Sequence, residues 1–320
     1  MTAPGASAAE LAERIVAGQP TAVARGITRC EAGDAAAEAL LAALPPRRAH
    51  LVGLTGSPGA GKSTLINALV GLHRARAARV GVVAVDPTSP LSGGALLGDR
   101  VRLCGVAGDA GVFFRSLASR GASGGLSDAA RAAAHVLSAA GFDPVLIETV
   151  GAGQAEVRVM RVADTVVVVL APGAGDEVQA LKAGIMEIAD VFALNKADRP
   201  GAAELRRHVR GMLHTRERGG WRPPVVETVA SEGRGIAELA EAVAAHRDQL
   251  TGGGGEVRLR GAARAEALRV ARSLFDAAVE AEATAVDAAA GDAVAELEAG
   301  RRLAAAAARR LLDGLRPPAR

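Results

Sequence analysis

The pattern of apolar and polar positions changes near residue 50. Before it, Leu11, Ile15 and Val16 recur at the spacing of one helical face, and a second helical pattern over residues 35–44 ends at Pro45-Pro46. After it, short apolar runs rich in β-branched residues alternate with helical segments. We predict strands at these runs, which are residues 51–55, 80–85, 145–147, 166–170, 191–194 and 225–229.

The apolar runs show no polar alternation, which favours strands buried on both faces and hence a mostly parallel sheet covered by helices. Helical patterns lie between them, at residues 62–72, 127–140, 176–188, 202–216 and 236–246. Together they predict an α/β domain over residues 50–250, preceded by a helical extension over residues 1–49.

The last part of the chain has a different pattern. After a glycine run at residues 252–255, two long helical patterns cover residues 262–290 and 293–312. Two helices without a sheet cannot bury both of their apolar faces, so they need a second surface, either the main domain or another subunit. We therefore predict a helical region over residues 251–320.

Composition narrows the function classes. Of the 320 residues, 49% are apolar and 23% are charged, which is a globular balance. The net charge of +3 comes from dispersed arginines and only 2% of residues are aromatic, so we expect no nucleic-acid partner. Cys30 and Cys104 are isolated, which argues against a disulfide framework or a zinc site. No apolar run could span a membrane, and Glu10 and Glu13 lie where a signal peptide would be apolar. We therefore expect a soluble, cytoplasmic protein with no membrane partner.

The clearest chemical motif follows the first predicted strand. Residues 56–63, Gly-Ser-Pro-Gly-Ala-Gly-Lys-Ser, match the P-loop pattern G-x-x-x-x-G-K-[ST] between a strand and a helix. Its glycines let backbone N–H groups surround a β-phosphate, while Lys62 places a cation between the β- and γ-phosphates. The predicted nucleotide-binding residues of this loop are Gly56, Ser57, Pro58, Gly59, Ala60, Gly61, Lys62, Ser63 and Thr64.

A second motif, Asn195-Lys196-Ala197-Asp198, follows a later predicted strand. The Asp198 carboxylate can accept hydrogen bonds from N1–H and the 2-amino group of guanine, a donor pair that adenine lacks. After a P-loop this favours GTP, with Asn195 and Lys196 completing the base site. The next strand should lead into a turn whose backbone N–H recognises guanine O6. Here that turn is Val229-Ala230-Ser231, which departs from the usual order with Ser first.

Two predicted strands end in carboxylates. Asp86 and Glu148 lie at the sheet edge where phosphates and Mg²⁺ bind in open α/β sheets. Either carboxylate could hold a Mg²⁺-bound water or orient the attacking water, so we assign Lys62, Asp86 and Glu148 to catalysis. Gly151 could donate its N–H to a γ-phosphate, and Asp99 is a further acidic candidate, although a single acidic residue can also cap a helix. The predicted Mg²⁺ residues are Ser63, Asp86, Asp99 and Glu148.

With these motifs in order, the chain resembles the methylmalonyl-CoA-mutase-associated GTPases of the MeaB and ArgK type, relatives of the human methylmalonic aciduria type A protein. The similarity covers roughly residues 50–250. Besides the P-loop and the Asn-Lys-Ala-Asp motif, its distinctive blocks are residues 86–90, 92–100, 147–154, 171–177, 182–190, 221–224 and 232–236.

The resemblance implies a P-loop GTPase core with an N-terminal helical extension and a C-terminal helical dimerisation arm, and hence a homodimer. Members of the family bind an adenosylcobalamin-dependent acyl-CoA mutase of the methylmalonyl-CoA mutase type, gate its cofactor loading and protect it. GTP, GDP and Mg²⁺ are the implied cofactors. The resemblance also implies a partner-sensing switch with Asp176, Glu177 and Lys182 as its charged residues. Without the resemblance, we would interpret these three residues as solvent-exposed charges at the start of an ordinary helix.

Two other functions remain open from the residues alone. An ATP-dependent kinase or transport-associated ATPase would share the P-loop, but the Asn-Lys-Ala-Asp motif argues against it. A metal-insertion GTPase would need a set of His or Cys ligands. The six histidines are dispersed, and His208 and His214 are too far apart in sequence to share a helical face as i, i+4 ligands.

Asp198→Asn should shift nucleotide preference from GTP towards xanthosine triphosphate, because an amide can donate to the xanthine O2 where guanine carries an amino group. We expect GTP affinity to fall at least about tenfold, the effect of one good hydrogen bond. Competition binding with the two nucleotides measures the shift, and an unchanged preference would contradict the assignment of Asp198 to the base.

Overall fold

A computed structural model describes residues 7–86, 108–118, 125–149, 160, 162–173, 185–213 and 220–251. Its strands are β1 (Leu51–Thr55), β2 (Val80–Asp86), β3 (Val112–Ala118), β4 (Val145–Thr149), β5 (Thr165–Leu170), β6 (Val191–Asn195) and β7 (Val225–Thr228). They form one seven-stranded sheet in the order β3-β2-β4-β1-β5-β6-β7, and every neighbouring pair is parallel. The predicted mostly parallel α/β sheet is therefore confirmed.

Helices precede the sheet and connect its strands. They are α1 (Ala8–Val16), α2 (Pro20–Ala32), α3 (Ala35–Ala43), α4 (Lys62–Ala75), α5 (Gly125–Ala139), α6 (Ile185–Ile188), α7 (Ala202–Leu213) and α8 (Ile236–Thr251), with one 3₁₀ turn at Ala230–Glu232. Local signals set several of these ends. Ser7 and Glu10 form a reciprocal capping box at the start of α1, and the Asp34 carboxylate accepts the Ala37 N–H at 2.8 Å at the start of α3.

Helices cover both faces of the sheet. On one face α2 and α5 pack over a core that contains Val83 and Ile147. On the other face α4 and α8 pack over a second core, which contains Val82 and Leu146. Adjacent residues of a strand point to opposite faces, so a strand between two helical layers is apolar throughout. All residues of β1, β4, β5 and β6 are accordingly buried.

The apolar pattern does not predict β3. Its sequence, Val-Phe-Phe-Arg-Ser-Leu-Ala, has Arg115 and Ser116 in the middle of the run. In the structure α2 neutralises this charge, because the Arg115 guanidinium donates to the Glu31 carboxylate and to the Thr28 hydroxyl, both at 2.9 Å. A tertiary ion pair thus allows a charged residue in a strand that sequence periodicity alone would reject.

Some predicted elements lie outside the described residues. The helix predicted at 176–188 is described only over α6, and both C-terminal helical patterns lie beyond residue 251. The proposed division of the chain at residues 49 and 250 therefore stays a prediction. None of the helices in the described ranges is long and apolar enough to cross a membrane.

Arg47 anchors the segment between α3 and β1. Its guanidinium donates two hydrogen bonds to the Asp164 carboxylate, at 2.7 and 2.8 Å, and a third to the Ala49 carbonyl at 2.6 Å. Asp164 also accepts the N–H of Leu51, the first residue of β1, at 2.9 Å. Burial opposes ionisation of Asp164, but these bonds keep its pKa below the ordinary value. The segment that leads into the central strand is therefore held by a charged, hydrogen-bonded pair.

Four buried polar side chains form a hydrogen-bonded chain at the amino edge of the sheet. Thr165 Oγ1, at the start of β5, lies 2.8 Å from His50 Nε2 and 2.8 Å from His246 Nδ1. His246 Nε2, on α8, lies 3.5 Å from the Asp190 carboxylate just before β6. One hydroxyl proton can serve only one of the two imidazoles, so Thr165 must accept a hydrogen bond from at least one of them. This chain ties the starts of β1, β5 and β6 to α8.

Acid should destabilise the fold through His50. Burial lowers the pKa of His50 from 6.5 to about 4, so the folded chain keeps this imidazole neutral while the unfolded chain protonates it first. This contribution is complete above about pH 7 and is lost as pH falls from about 6.5 towards 4. Between pH 7.5 and pH 5 we expect a loss of about 2 kcal/mol in the free energy of unfolding, measured by urea titration.

His50→Gln should remove most of that pH dependence, since the amide does not titrate. His208→Gln, at an exposed position on α7, is the matched control and should retain it. Equal pH dependence in wild type and His50→Gln would contradict the assignment.

Candidate active site

The candidate site lies at the carboxyl edge of the sheet, around β1. β4 and β5 flank β1 on opposite sides, although neither follows it directly along the chain. Strand order reverses at such a point, and the departing connections leave a crevice at the carboxyl ends of the strands. The loops after β1, β4, β6 and β7, which contain most of the residues assigned from sequence, all begin at this edge.

The P-loop curls back over the end of β1 before α4 begins. Within it the Ala60 N–H donates to the Ser57 carbonyl at 3.1 Å, and Gly61 adopts the left-handed conformation at φ 95° just before the helix. No side chain caps α4, so the first N–H groups of the helix point to the crevice together with the positive end of its dipole. This is the electrostatic arrangement that binds an anion.

Lys62 lies inside the P-loop. Its ammonium donates to the Gly56 carbonyl at 2.6 Å and to the Ser57 carbonyl at 3.3 Å, and only 7% of the residue is exposed. A buried ammonium needs such acceptors to offset its lost hydration. Phosphate oxygens could replace neutral carbonyls with charged acceptors, which strengthens the hydrogen bonds.

Ser63 and Glu148 meet beside the P-loop. The Ser63 hydroxyl donates to Glu148 Oε1 at 2.5 Å, and Glu148 is 6% exposed at the end of β4. The register of β1 with β4 pairs Leu54 with Glu148, which brings the carboxylate next to the loop that leaves β1. A hydroxyl and a carboxylate together form an oxygen donor set that suits Mg²⁺, so these two residues could hold the ion.

Asn195 connects the P-loop to the base side of the crevice. Its amide Nδ2 donates to the Ala60 carbonyl at 2.9 Å, while its Oδ1 accepts the Ala230 N–H at 3.1 Å and the Thr228 hydroxyl at 3.2 Å. The residue is only 2% exposed. The Asn195 side chain therefore holds together three loops that the sequence separates widely.

Lys196 and Asp198 continue from this connection. Lys196 has φ 58°, rare for a residue with a side chain, and its ammonium donates to the Gly59 carbonyl at 2.7 Å. Asn195 and Lys196 thus bind consecutive P-loop carbonyls, those of Ala60 and Gly59. Asp198 is exposed, so its carboxylate is available to a base in the crevice.

The predicted base turn has a more specific geometry than its sequence indicates. Val229 is buried and its N–H donates to the Arg234 carbonyl at 3.0 Å, so this N–H is already engaged. The Ala230 N–H faces Asn195, whereas Ser231 is exposed. Thr228 is a further residue of this site that the sequence does not single out, since its one distinguishing feature there is a hydroxyl at the end of β7.

Other predicted site residues fall outside the described residues. They are Asp99, Gly151, Asp176, Glu177 and Lys182. Asp86 ends β2 at the same carboxyl edge as Glu148, but its side chain is not described. Within the ranges given above, no group of three His, Cys, Asp or Glu side chains could hold a metal ion by itself.

Comparison with known proteins connects this site to a family. The family profile described as methylmalonyl Co-A mutase-associated GTPase MeaB matches residues 23–286. A protein of Pyrococcus horikoshii that is named as a GTPase is 49% identical over 247 residues, which is 75% of this chain and 78% of that protein. The GTPase ArgK of Escherichia coli is 36% identical over 260 residues, 78% of each chain.

Two further relatives are informative. The methylmalonic aciduria type A homolog of Mus musculus, a mitochondrial protein, is 37% identical over 208 residues, 63% of this chain and 50% of that protein. The solved structure of an LAO/AO transport system kinase has a TM-score of 0.71 at 27% identity and covers 98% of this chain and 99% of its own.

Glu148→Ala should slow GTP hydrolysis while leaving GDP affinity nearly intact, because the carboxylate lies beside Ser63 and away from the base loops. We expect about a 100-fold decrease in single-turnover rate, the order associated with one positioned charged group. Glu241→Ala, at an exposed position on α8, is the control. Unchanged hydrolysis, or an equal loss of GDP binding, would contradict a role for Glu148 in hydrolysis.

Proposed function

This chain belongs to the family of methylmalonyl-CoA-mutase-associated GTPases, and we propose that it controls an adenosylcobalamin-dependent acyl-CoA mutase through GTP binding and hydrolysis. That the chain is a GTPase follows from the family and from relatives named as GTPases. The assignment of site residues rests mainly on one observation: the Asn195 side chain forms hydrogen bonds to both the P-loop and the base turn. Phosphates and base would therefore occupy one continuous site.

In this proposal the P-loop, Gly56 to Thr64, surrounds the phosphates. Lys62 moves from the loop carbonyls to the β- and γ-phosphate oxygens, a short displacement within the same loop. The N–H groups at the start of α4 supply further donors. Charge-assisted hydrogen bonds of this kind are stronger than those to neutral carbonyls, which favours the bound state.

Ser63 and Glu148 would hold Mg²⁺, and Asp86 and Asp99 are further proposed ligands. When bound, the ion neutralises phosphate charge as the terminal phosphate leaves. Glu148 is already buried against the Ser63 hydroxyl, so its carboxylate needs no large rearrangement. We assign Lys62, Asp86 and Glu148 to the hydrolytic step.

The base would lie between Asp198 and the Val229-Ala230-Ser231 turn. Asp198 accepts from guanine N1–H and the 2-amino group, and a backbone N–H of the turn donates to O6. The name of the solved transport system kinase raises an ATP-using alternative. Adenine would leave Asp198 without its donor pair and place an amino group against the backbone donor, so this site favours guanine.

The output of the cycle would be a change in the partner. GTP and GDP differ in the γ-phosphate, which we propose is sensed by Gly151 and transmitted through Asp176, Glu177 and Lys182 to the mutase. The family description and the methylmalonic aciduria type A homolog support this partner class. We further propose that the chain acts in the cytoplasm as a homodimer formed through its C-terminal region.

Co-purification with candidate mutases tests the proposed partner. Methylmalonyl-CoA, isobutyryl-CoA and ethylmalonyl-CoA mutases would each be mixed with the tagged full-length chain in GTP or GDP. The partner mutase should be retained in a nucleotide-dependent manner and raise GTP turnover at least about tenfold by ordering switch residues. Lys62→Ala, which removes the P-loop cation, should abolish this stimulation. Failure of all three mutases to bind or to stimulate turnover would contradict the proposal.

A further inference from the structure

The turn that follows the base loop packs unusually closely against β7. Residues 233–235, Gly-Arg-Gly, connect the 3₁₀ turn to α8. The Val229 N–H donates to the Arg234 carbonyl at 3.0 Å, and these two residues form an antiparallel bridge. The loop therefore folds back onto the base turn before α8 begins.

Gly235 is the point of closest approach. A Cβ at this position would overlap the carbonyl oxygen of Glu227 and lie 3.1 Å from both the Glu227 carbonyl carbon and the Thr228 Cα. The φ of Gly235 is +76°, a region that other residues seldom adopt. The start of α8 thus rests directly on the last peptide of β7, and only glycine leaves room for it.

The Glu227–Thr228 peptide, against which Gly235 packs, is linked to Asn195 through Thr228. Thr228 donates its hydroxyl to Asn195 Oδ1 at 3.2 Å, and its carbonyl accepts the Ala197 N–H at 3.1 Å. Asn195 in turn donates to the Ala60 carbonyl of the P-loop at 2.9 Å. A displacement of the Glu227–Thr228 peptide would therefore move the base turn relative to Asn195 and Asp198.

We propose that Gly235 is a positioning residue for guanine recognition: its lack of a side chain sets where the base turn lies relative to the Asn195 loop. This inference rests on the proposed function, because it assumes that the base turn and Asp198 bind guanine. Gly235 itself contacts no nucleotide. It acts through the Glu227–Thr228 peptide.

The chain contains a matched control two residues earlier. Gly233 is also left-handed, at φ +71°, but a Cβ there would meet nothing within 4 Å. Gly233→Ala therefore imposes a similar backbone strain without a steric overlap. Comparing the two alanine variants separates close packing from backbone conformation.

The test is the affinity of the full-length protein for GDP, inosine diphosphate and ADP. In Gly235→Ala we expect GDP affinity to fall about tenfold, the effect of one lost hydrogen bond, and ADP affinity to change less than about twofold. Inosine diphosphate keeps O6 but lacks the 2-amino group, so it should lose as much affinity as GDP. Gly233→Ala should keep the wild-type ratio of GDP to ADP affinity.

Thr228→Val provides a second route if Gly235→Ala fails to fold. It removes the hydroxyl without changing the shape of the side chain and should lower the same ratio, while Thr228→Ser should restore it. A ratio within about twofold of wild type in a folded Gly235→Ala or Thr228→Val variant would overturn the inference, since about twofold is below the effect of one hydrogen bond. An equal decrease in Gly233→Ala would overturn it as well.

The wild-type protein separates the two proposals. If it binds GDP and ADP equally, the proposed base site and this inference both fail. If it prefers GDP and the variants retain that preference, only the positioning role of Gly235 fails.

Discussion

The proposed nucleotide site depends on the side-chain amide of Asn195. Its donor binds the P-loop at Ala60 and its acceptor binds the turn after β7 at Thr228 and Ala230. These loops leave three different strands. The Ala197 N–H bonds the Thr228 carbonyl between two of the loops, and the Asn195 side chain adds the bond to the P-loop. Leaving this buried amide without a hydrogen-bond partner would cost more free energy than a typical hydrogen bond contributes to stability. The loops therefore hold one another in place before any ligand binds.

The parallel sheet, covered by helices on both faces, makes such an arrangement possible. Its parallel strands end at one edge, so residues at the ends of β1, β4, β6 and β7 meet there without being close in sequence. At the opposite, amino edge of the sheet, hydrogen bonds through Thr165 connect His50 to His246. Polar side chains thus close both ends of a sheet whose interior is apolar, and each group is buried with a partner.

The features that the sequence predicts correctly are those that depend on residues close together in the chain. The P-loop, the all-apolar strands and the Asn-Lys-Ala-Asp motif each depend on a short stretch of residues, and the sheet around them is as expected. β3 could not be predicted, because its Arg115 is neutralised by Glu31 on α2, a residue 84 positions away. The same limit applies to Asn195: the motif indicates a base site, but the bond to Ala60 across 135 positions is a tertiary fact.

Glycine at 235 illustrates a constraint that composition hides. The chain has 39 glycines, and sequence alone cannot separate those that form flexible turns from those that permit a close contact. Gly233 and Gly235 have nearly the same φ, yet only Gly235 lies against the backbone of β7. Backbone conformation therefore favours glycine equally at both positions, whereas close packing requires it only at position 235. The proposed role of Gly235 in base recognition rests on this packing difference, because Thr228, whose backbone Gly235 approaches, is bonded to Asn195.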